Sequence, residues 1–163
     1  MLLVDTNVLL EATDEARPWH ADARALLESP TRLVIAAQVI REYLVVATRP
    51  VAANGLGLPT RQALTNVREV RRRVRLLPEE RPILPTFLEL VERVGCAGKR
   101  IHDAHLVATA RVHGVAAIVS FNADDLAALA DGMPIVTPRQ VLAGEKVGAG
   151  RRPRIRRGTR PRP

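Results

Sequence analysis

The chain has 163 residues, 47% hydrophobic but only 2% aromatic, which is enough for one domain with a core of Leu, Val, Ile and Ala. Its one cysteine, Cys96, excludes an internal disulfide, has no Cys or His partners at zinc spacing and suits a reducing cytoplasm; no basic segment precedes Asp5 and Glu11 to form a signal peptide, and no apolar run approaches the ~20 residues that span a bilayer. The net charge of +8 belongs to one end, because residues 146–163 hold 8 of the 25 basic residues and no acid, leaving a formally neutral body.

In chain order, Met1-Leu2-Leu3-Val4 runs without alternation into Asp5-Thr6-Asn7. That pattern predicts a strand buried on both faces with Asp5 at its end. Thr6 or Asn7 then caps a helix over 8–12, unless Asp5 is itself the cap. A second helix runs from 18 or 19 to 28 on Ala23, Leu26 and Leu27 and stops at Ser29-Pro30; residues 33–37 form a second buried strand. A helix over 38–48 ends at Arg49-Pro50, with Val39, Tyr43 and Val46 on one face and Glu42 at its flank.

A Gly/Pro-containing loop over 51–59 leads to a helix over 60–73 capped by Thr60. Arg68, Arg71, Arg72, Arg73 and Arg75 make either a solvated face or a contact for a phosphate backbone. Residues 74–77 are a third strand, 82–94 a helix and 95–100 a turn; a helix over 102–113 ends at Gly114. A strand over 116–121, a helix over 124–130, a strand over 134–137 and a helical turn or two over 138–143 complete the pattern. Strands alternating with helices predict a single α/β domain over 1–143, with a central, mainly parallel five-stranded sheet flanked by helices. From 144 to 163 the sequence is Arg, Pro and Gly with almost no apolar residue, the composition of a disordered tail.

Three acids share an address in this scheme: Asp5 at a strand end, Glu42 on the helix after the next strand, and Asp103 in the first turn of a helix whose Leu106, Val107 and Ala110 face the core. Helix-dipole complementarity accounts for Asp103 alone, but an inward-pointing Asp asks for a partner. In a doubly wound sheet all three can point into one crevice. Crowded carboxylates repel and their pKa values rise; a divalent cation reverses this, and an all-oxygen site suits Mg²⁺ or Mn²⁺. Other chemistries fit less well. An aspartyl nucleophile of the phosphatase kind wants a second acid two residues on, where Asn7 stands; no Gly-rich phosphate loop follows any strand, and no Gly-x-Ser-x-Gly elbow occurs. His102, His105 and His113 read as ordinary helix residues.

The segments Asp5-Thr6-Asn7-Val8-Leu9-Leu10, Gln38-Val39-Ile40-Arg41-Glu42, His102-Asp103-Ala104-His105-Leu106-Val107-Ala108-Thr109-Ala110 and Val119-Ser120-Phe121-Asn122-Ala123-Asp124-Asp125-Leu126 together resemble the PIN-domain signature, nearest to the VapC-type toxins of bacterial toxin–antitoxin pairs. The resemblance spans about 1–143. It implies a metal-dependent endoribonuclease of the cytoplasm, inhibited by a cognate antitoxin and usually a homodimer, whose cut leaves a 5′-phosphate and a 3′-hydroxyl. It implies that Asp5, Glu42 and Asp103 hold Mg²⁺ or Mn²⁺, with Glu42 either on a second ion or positioning the attacking water.

A fourth acid is common in that family two residues after a Thr or Ser; counting from Ser120, this chain has Asn122 there. Asn122 is expected to orient water or metal through its amide, with Asp124 or Asp125 as alternative ligands and Thr6, Asn7 and Ser120 in support. Leu126 replaces the commoner aromatic, a packing change. Two other classes predict different features. A catalytically weak RNA-binding or regulatory domain would draw on the Arg-rich tail, and a small-molecule α/β enzyme would need a deep apolar pocket and no acid cluster.

Overall fold

The computed structural model describes residues 1–144. Strands β1 (Leu2–Val4), β2 (Leu33–Ile35), β3 (Arg75–Leu76), β4 (Ala117–Val119) and β5 (Ile135–Val136) form one sheet in the order β3-β2-β1-β4-β5. Every pairing is parallel, so the sheet is wholly rather than mainly parallel. The three inner strands are buried at every position and the two edge strands are not, which is why only β1, β2 and β4 read as uninterrupted apolar runs.

Among the described residues seven helices connect the strands, α1 (Thr6–Thr13), α2 (His20–Glu28), α3 (Ala37–Thr48), α4 (Thr60–Arg73), α5 (Ile83–Val94), α6 (Arg100–Val112) and α7 (Ala123–Ala130), with a 3₁₀ turn at Val51–Ala53, and α8 (Pro138–Leu142) follows β5. Helices α1 to α4 pack among themselves, and α5 to α7 form a second group. That division is what right-handed crossovers produce when the chain runs outward from β1 to β3, crosses back to β4 and runs outward again. The core between the layers is aliphatic, led by Leu3, Val4, Val34, Ile35, Ile118 and Val119, with Leu26 and Leu90 supplied by the two helical groups.

Of the caps weighed for α1, Asp5 is the one used rather than Thr6 or Asn7, its Oδ1 accepting from Thr6 N at 2.6 Å. Thr60 is the first residue of α4 rather than its cap, and Pro59 precedes it, a placement that leaves the fixed proline φ outside the helix. The terminal arginines of α4 are exposed, and Arg71 Nη1 donates to Val74 O just beyond its own helix. Gly114 ends the α6 segment at φ +57°, the left-handed conformation that glycine adopts without strain. Cys96 is partly buried against the core. Among the described residues no helix is long and apolar enough to cross a membrane. Apart from Gly144, the expected disordered tail over 144–163 lies outside the described residues.

Candidate active site

Strand order reverses between β1 and β4, the neighbours from which the chain leaves in opposite directions across the sheet. Ligands of open α/β sheets bind outside the strand C-termini at such a point. Asp5 follows β1 and Ser120 follows β4; Asp5 N donates to Val119 O at 3.0 Å, fixing the two strand ends side by side. Asp5 is the best-held of the acids. Its Oδ2 accepts from Ser120 Oγ at 2.7 Å and from Asn7 Nδ2 at 2.9 Å, in addition to the Thr6 amide on Oδ1. Asn7 Nδ2 also reaches Ser120 Oγ at 2.9 Å, and Asn7 Oδ1 accepts from Phe121 N at 3.2 Å.

Glu42 arrives from α3. Its Oε2 accepts from Thr6 Oγ1 at 2.8 Å and its Oε1 from Gln38 Nε2 at 2.6 Å, one helical turn earlier. Gln38 is buried and also donates to His102 O at 2.8 Å, while its Oε1 bonds His105 Nδ1 at 2.6 Å. His105 Nε2 lies 3.0 Å from Glu79 Oε1, and His102 Nδ1 lies 3.2 Å from Glu42 Oε1. The start of α6 is thereby tied to α3. Two of the histidines read as ordinary helix residues thus belong to the support of a candidate site acid, whereas His113 bonds Pro78 O elsewhere.

Asp103 is half-buried on α6 and makes no side-chain hydrogen bond among the described residues. Burial, then the charges of Asp5, Asp125 and Glu42, push its carboxyl up to about 6, against a smaller lowering by His102. Burial also raises the Asp5 carboxyl, and Glu42 adds to the rise; the hydrogen bonds from Ser120, Thr6 and Asn7 oppose it. These acids sense one another through charge rather than contact. Among the described residues no three His, Cys, Asp or Glu side chains stand close enough to grip one ion as placed.

Asn122 binds Ser120 Oγ through its backbone N–H at 2.9 Å and donates its side-chain Nδ2 to Asp125 Oδ2 at 2.8 Å. Asp125 is thereby positioned at the start of α7, and its charge reaches Asp103. Asp124 is exposed and makes no side-chain bond among the described residues. The structure thus joins Asp5, Thr6, Asn7, Glu42, Ser120, Asn122 and Asp125 by hydrogen bonds, brings Asp103 within reach by charge, and leaves Asp124 outside.

The donor chemistry fits a hard divalent cation. Every candidate ligand offers oxygen, two of the carboxyls are pushed up partly by like charges, and Asp103 is half-buried with no bonded partner to compensate it. Sequence reasoning missed Gln38, His102 and His105 as supports. The available signal was Gln38 at four residues before Glu42 on one helix face; the α6 histidines carried none, because their partners are far away in sequence.

Residues 2–132 match the PIN-domain family. The chain is 33% identical over 126 residues to a Mycobacterium tuberculosis protein described as Ribonuclease VapC48, covering 74% of this chain and 86% of that protein. Two solved structures share the fold. A toxin–antitoxin complex from Klebsiella pneumoniae matches at TM-score 0.55 and 24% identity over 85% of this chain and 98% of its own. Mycobacterium tuberculosis VapC20, described as a sarcin–ricin loop cleaving toxin, matches at TM-score 0.62 and 18% identity over 78% of this chain and 95% of its own. At those identities the two structures speak for the fold alone. The extent of the family match and the level of identity to the curated relative place the chain in the PIN-domain family, among the VapC-type ribonuclease toxins.

Proposed function

We propose that the crevice at the ends of β1 and β4 is the active site of a Mg²⁺- or Mn²⁺-dependent endoribonuclease that hydrolyses RNA phosphodiester bonds. The observation that carries this reading is Asp103: a half-buried carboxyl without a bonded partner, facing the charges of Asp5, Asp125 and Glu42. An acid in that position is costly to keep ionised unless a cation shares it.

Asp5, Glu42 and Asp103 would close in from their placement here to hold the ion, which when bound supplies positive charge to the non-bridging phosphate oxygens and lowers the pKa of water. Ser120 and Asn7 fix the rotamer of Asp5 by donating to one oxygen while the Thr6 amide donates to the other. Thr6 and Gln38 fix Glu42 from opposite oxygens, leaving lone pairs to orient the attacking water and accept its proton. Asn122 takes no direct part in this reading. It holds Asp125, and Asp125 supplies the fourth negative charge at the position where Asn122 itself has none.

The experiment is cleavage of a defined RNA with Mg²⁺ or Mn²⁺ present, abolished by EDTA and by Asp103→Asn in a folded protein. Metal-independent cleavage, or full activity in that variant, would remove the assignment. Membership among the toxins also supports an intracellular site of action, a cognate antitoxin and a homodimer. Rescue of growth by a co-expressed neighbouring gene product, and the mass of the purified protein in solution, test the last two.

A further inference from the structure

The chain has one Trp, one Tyr and two Phe. Trp19 and Phe121 lie stacked, with ring centroids 5.7 Å apart and planes at 16°. Trp19 nevertheless stays 45% exposed, an unusual cost for a chain with so few aromatic rings to place in its core. The pair adjoins the acid crevice: Phe121 N donates to Asn7 Oδ1, and Asn7 Nδ2 donates to Asp5 Oδ2.

Trp19 is also braced from behind. Glu11, buried at 8% exposure, accepts from Trp19 N at 3.0 Å on Oε2 and from Arg17 Nη1 at 2.9 Å on Oε1. His20 Nδ1 bonds Glu11 O at 3.0 Å, so the segment between α1 and α2 is held on both sides of Trp19. A buried carboxylate is a strong tether for a loop whose side chain is left in water, and it presents the indole with little ordering left to do.

From these contacts we propose that Trp19, backed by Phe121, is a stacking platform for a nucleobase of single-stranded RNA lying beside the cleaved phosphodiester. Unpaired bases are bound by stacking on aromatic side chains, and an indole accepts any base because every base has a π face. Trp19 would then hold the strand in register over the acids without contacting the reacting phosphate, a binding and positioning role. The occupant, though not the geometry, rests on the nuclease reading above.

Trp19 is the sole Trp, so fluorescence excited at the red edge of absorption, where the single Tyr does not absorb, reports on it alone. The full chain in EDTA is titrated with an oligoadenylate ribonucleotide and with an abasic ribose-phosphate chain of equal length and charge. Quenching by the first and not by the second is expected. No quenching at saturation, or equal quenching by both, overturns the platform.

Trp19→Leu keeps an apolar cover on Phe121 but removes the aromatic face. It should raise KM for RNA cleavage by about ten-fold, within the range that loss of one base stack carries, while Trp19→Phe restores much of it. An unchanged KM in Trp19→Leu also overturns the platform. A wild-type chain that is quenched by oligoadenylate but cleaves no RNA would sink the nuclease reading and leave the stacking intact.

Discussion

Two concave regions of this molecule share α1 and α3 and differ in almost everything else. One is a cavity of about 470 Å³ between α1, α2, α3 and α4, bordered by Leu9, Leu27, Tyr43, Asn66, Val70 and Arg72. Its size falls within the usual range of small-molecule sites. Several of its polar groups, however, are occupied with one another, the Tyr43 hydroxyl bonding Thr13 Oγ1 at 3.1 Å and accepting from Asn66 Nδ2 at 3.0 Å, and Arg24 pairing with Glu28 at 2.6 Å, while its other polar borders, Gln62, Glu69, Arg72 and Arg73, offer no carboxylate cluster. The other is the crevice at the β1 and β4 ends, whose acids line no part of that cavity, and it contains an acid with no hydrogen-bonded partner and three like charges bearing on it. Volume and chemical potential are therefore separated here. A small-molecule enzyme would have joined them, whereas an extended polymer needs only a shallow site on which a strand can lie.

The sharpest way to break that contrast is to exchange the two regions' roles. Asp103→Asn should lower metal-dependent RNA cleavage by more than about 100-fold, since losing even a supporting partner of a metal ligand costs about 10–100-fold. Gln62→Ala, at the border of the helical cavity, should leave the rate within about two-fold, as surface changes away from a site do. Initial rates on one RNA, with circular dichroism as the check on folding, decide it. A large loss in Gln62→Ala would move the functional site into the cavity.

The next effect concerns the difference between a well-held acid and a loosely held one. Ser120→Ala removes the 2.7 Å bond to Asp5 Oδ2 and the acceptor for Asn122 N, and should weaken Mn²⁺ binding by about 10-fold or more by calorimetry. Asp125→Asn removes only a charge at longer range from an exposed position. A roughly five-fold loss is expected, in keeping with ~1 kcal/mol for such a charge, and Asp124→Asn should change nothing measurable. Equal effects at 124 and 125 would show that net charge, not the placement made by Asn122, matters.

How far the sequence displayed this differs between the same two regions. The strands beside the crevice were legible because β1, β2 and β4 are buried on both faces, so each is an apolar run that stops at a polar residue. Asp5, Glu42 and Asp103 could be placed from strand ends and helix faces. The supports could not all be read this way. Gln38 holds Glu42 along one helix, but it meets His105 67 residues away, and Ser120 meets Asp5 115 residues away. The division of labour between Asn122 and Asp125 was equally hidden. Spacing suggests which residues share a helix turn, while the direction of an amide across that turn follows from packing. Trp19 carried no pattern at all, being one exposed ring in a loop whose anchor, Glu11, looks from the sequence like an ordinary surface acid.

The smallest effect tests the charges themselves without RNA or metal. Asp103 titrates at about 6 in the folded chain against an ordinary value of 3.8, so between those values the folded state binds the extra proton. The contribution of this group to stability is therefore fully present below about 3.8 and is lost as pH rises through about 6. Asp5 shifts in the same direction, while Asp125, Glu42 and His102 are the other charged or titratable groups bearing on Asp103. In EDTA, wild type should melt below Asp103→Asn near pH 7.5, by a few degrees because Asp103 is only half-buried, and the gap should narrow as pH falls through about 6 and close towards about 3.8. Excess Mn²⁺ at the higher pH should reverse the order, since a cation stabilises the ionised carboxylate that the amide lacks. Thermal melts of both proteins across that range read the effect directly, and a gap that stays constant with pH would mean that Asp103 does not feel the acids across the crevice.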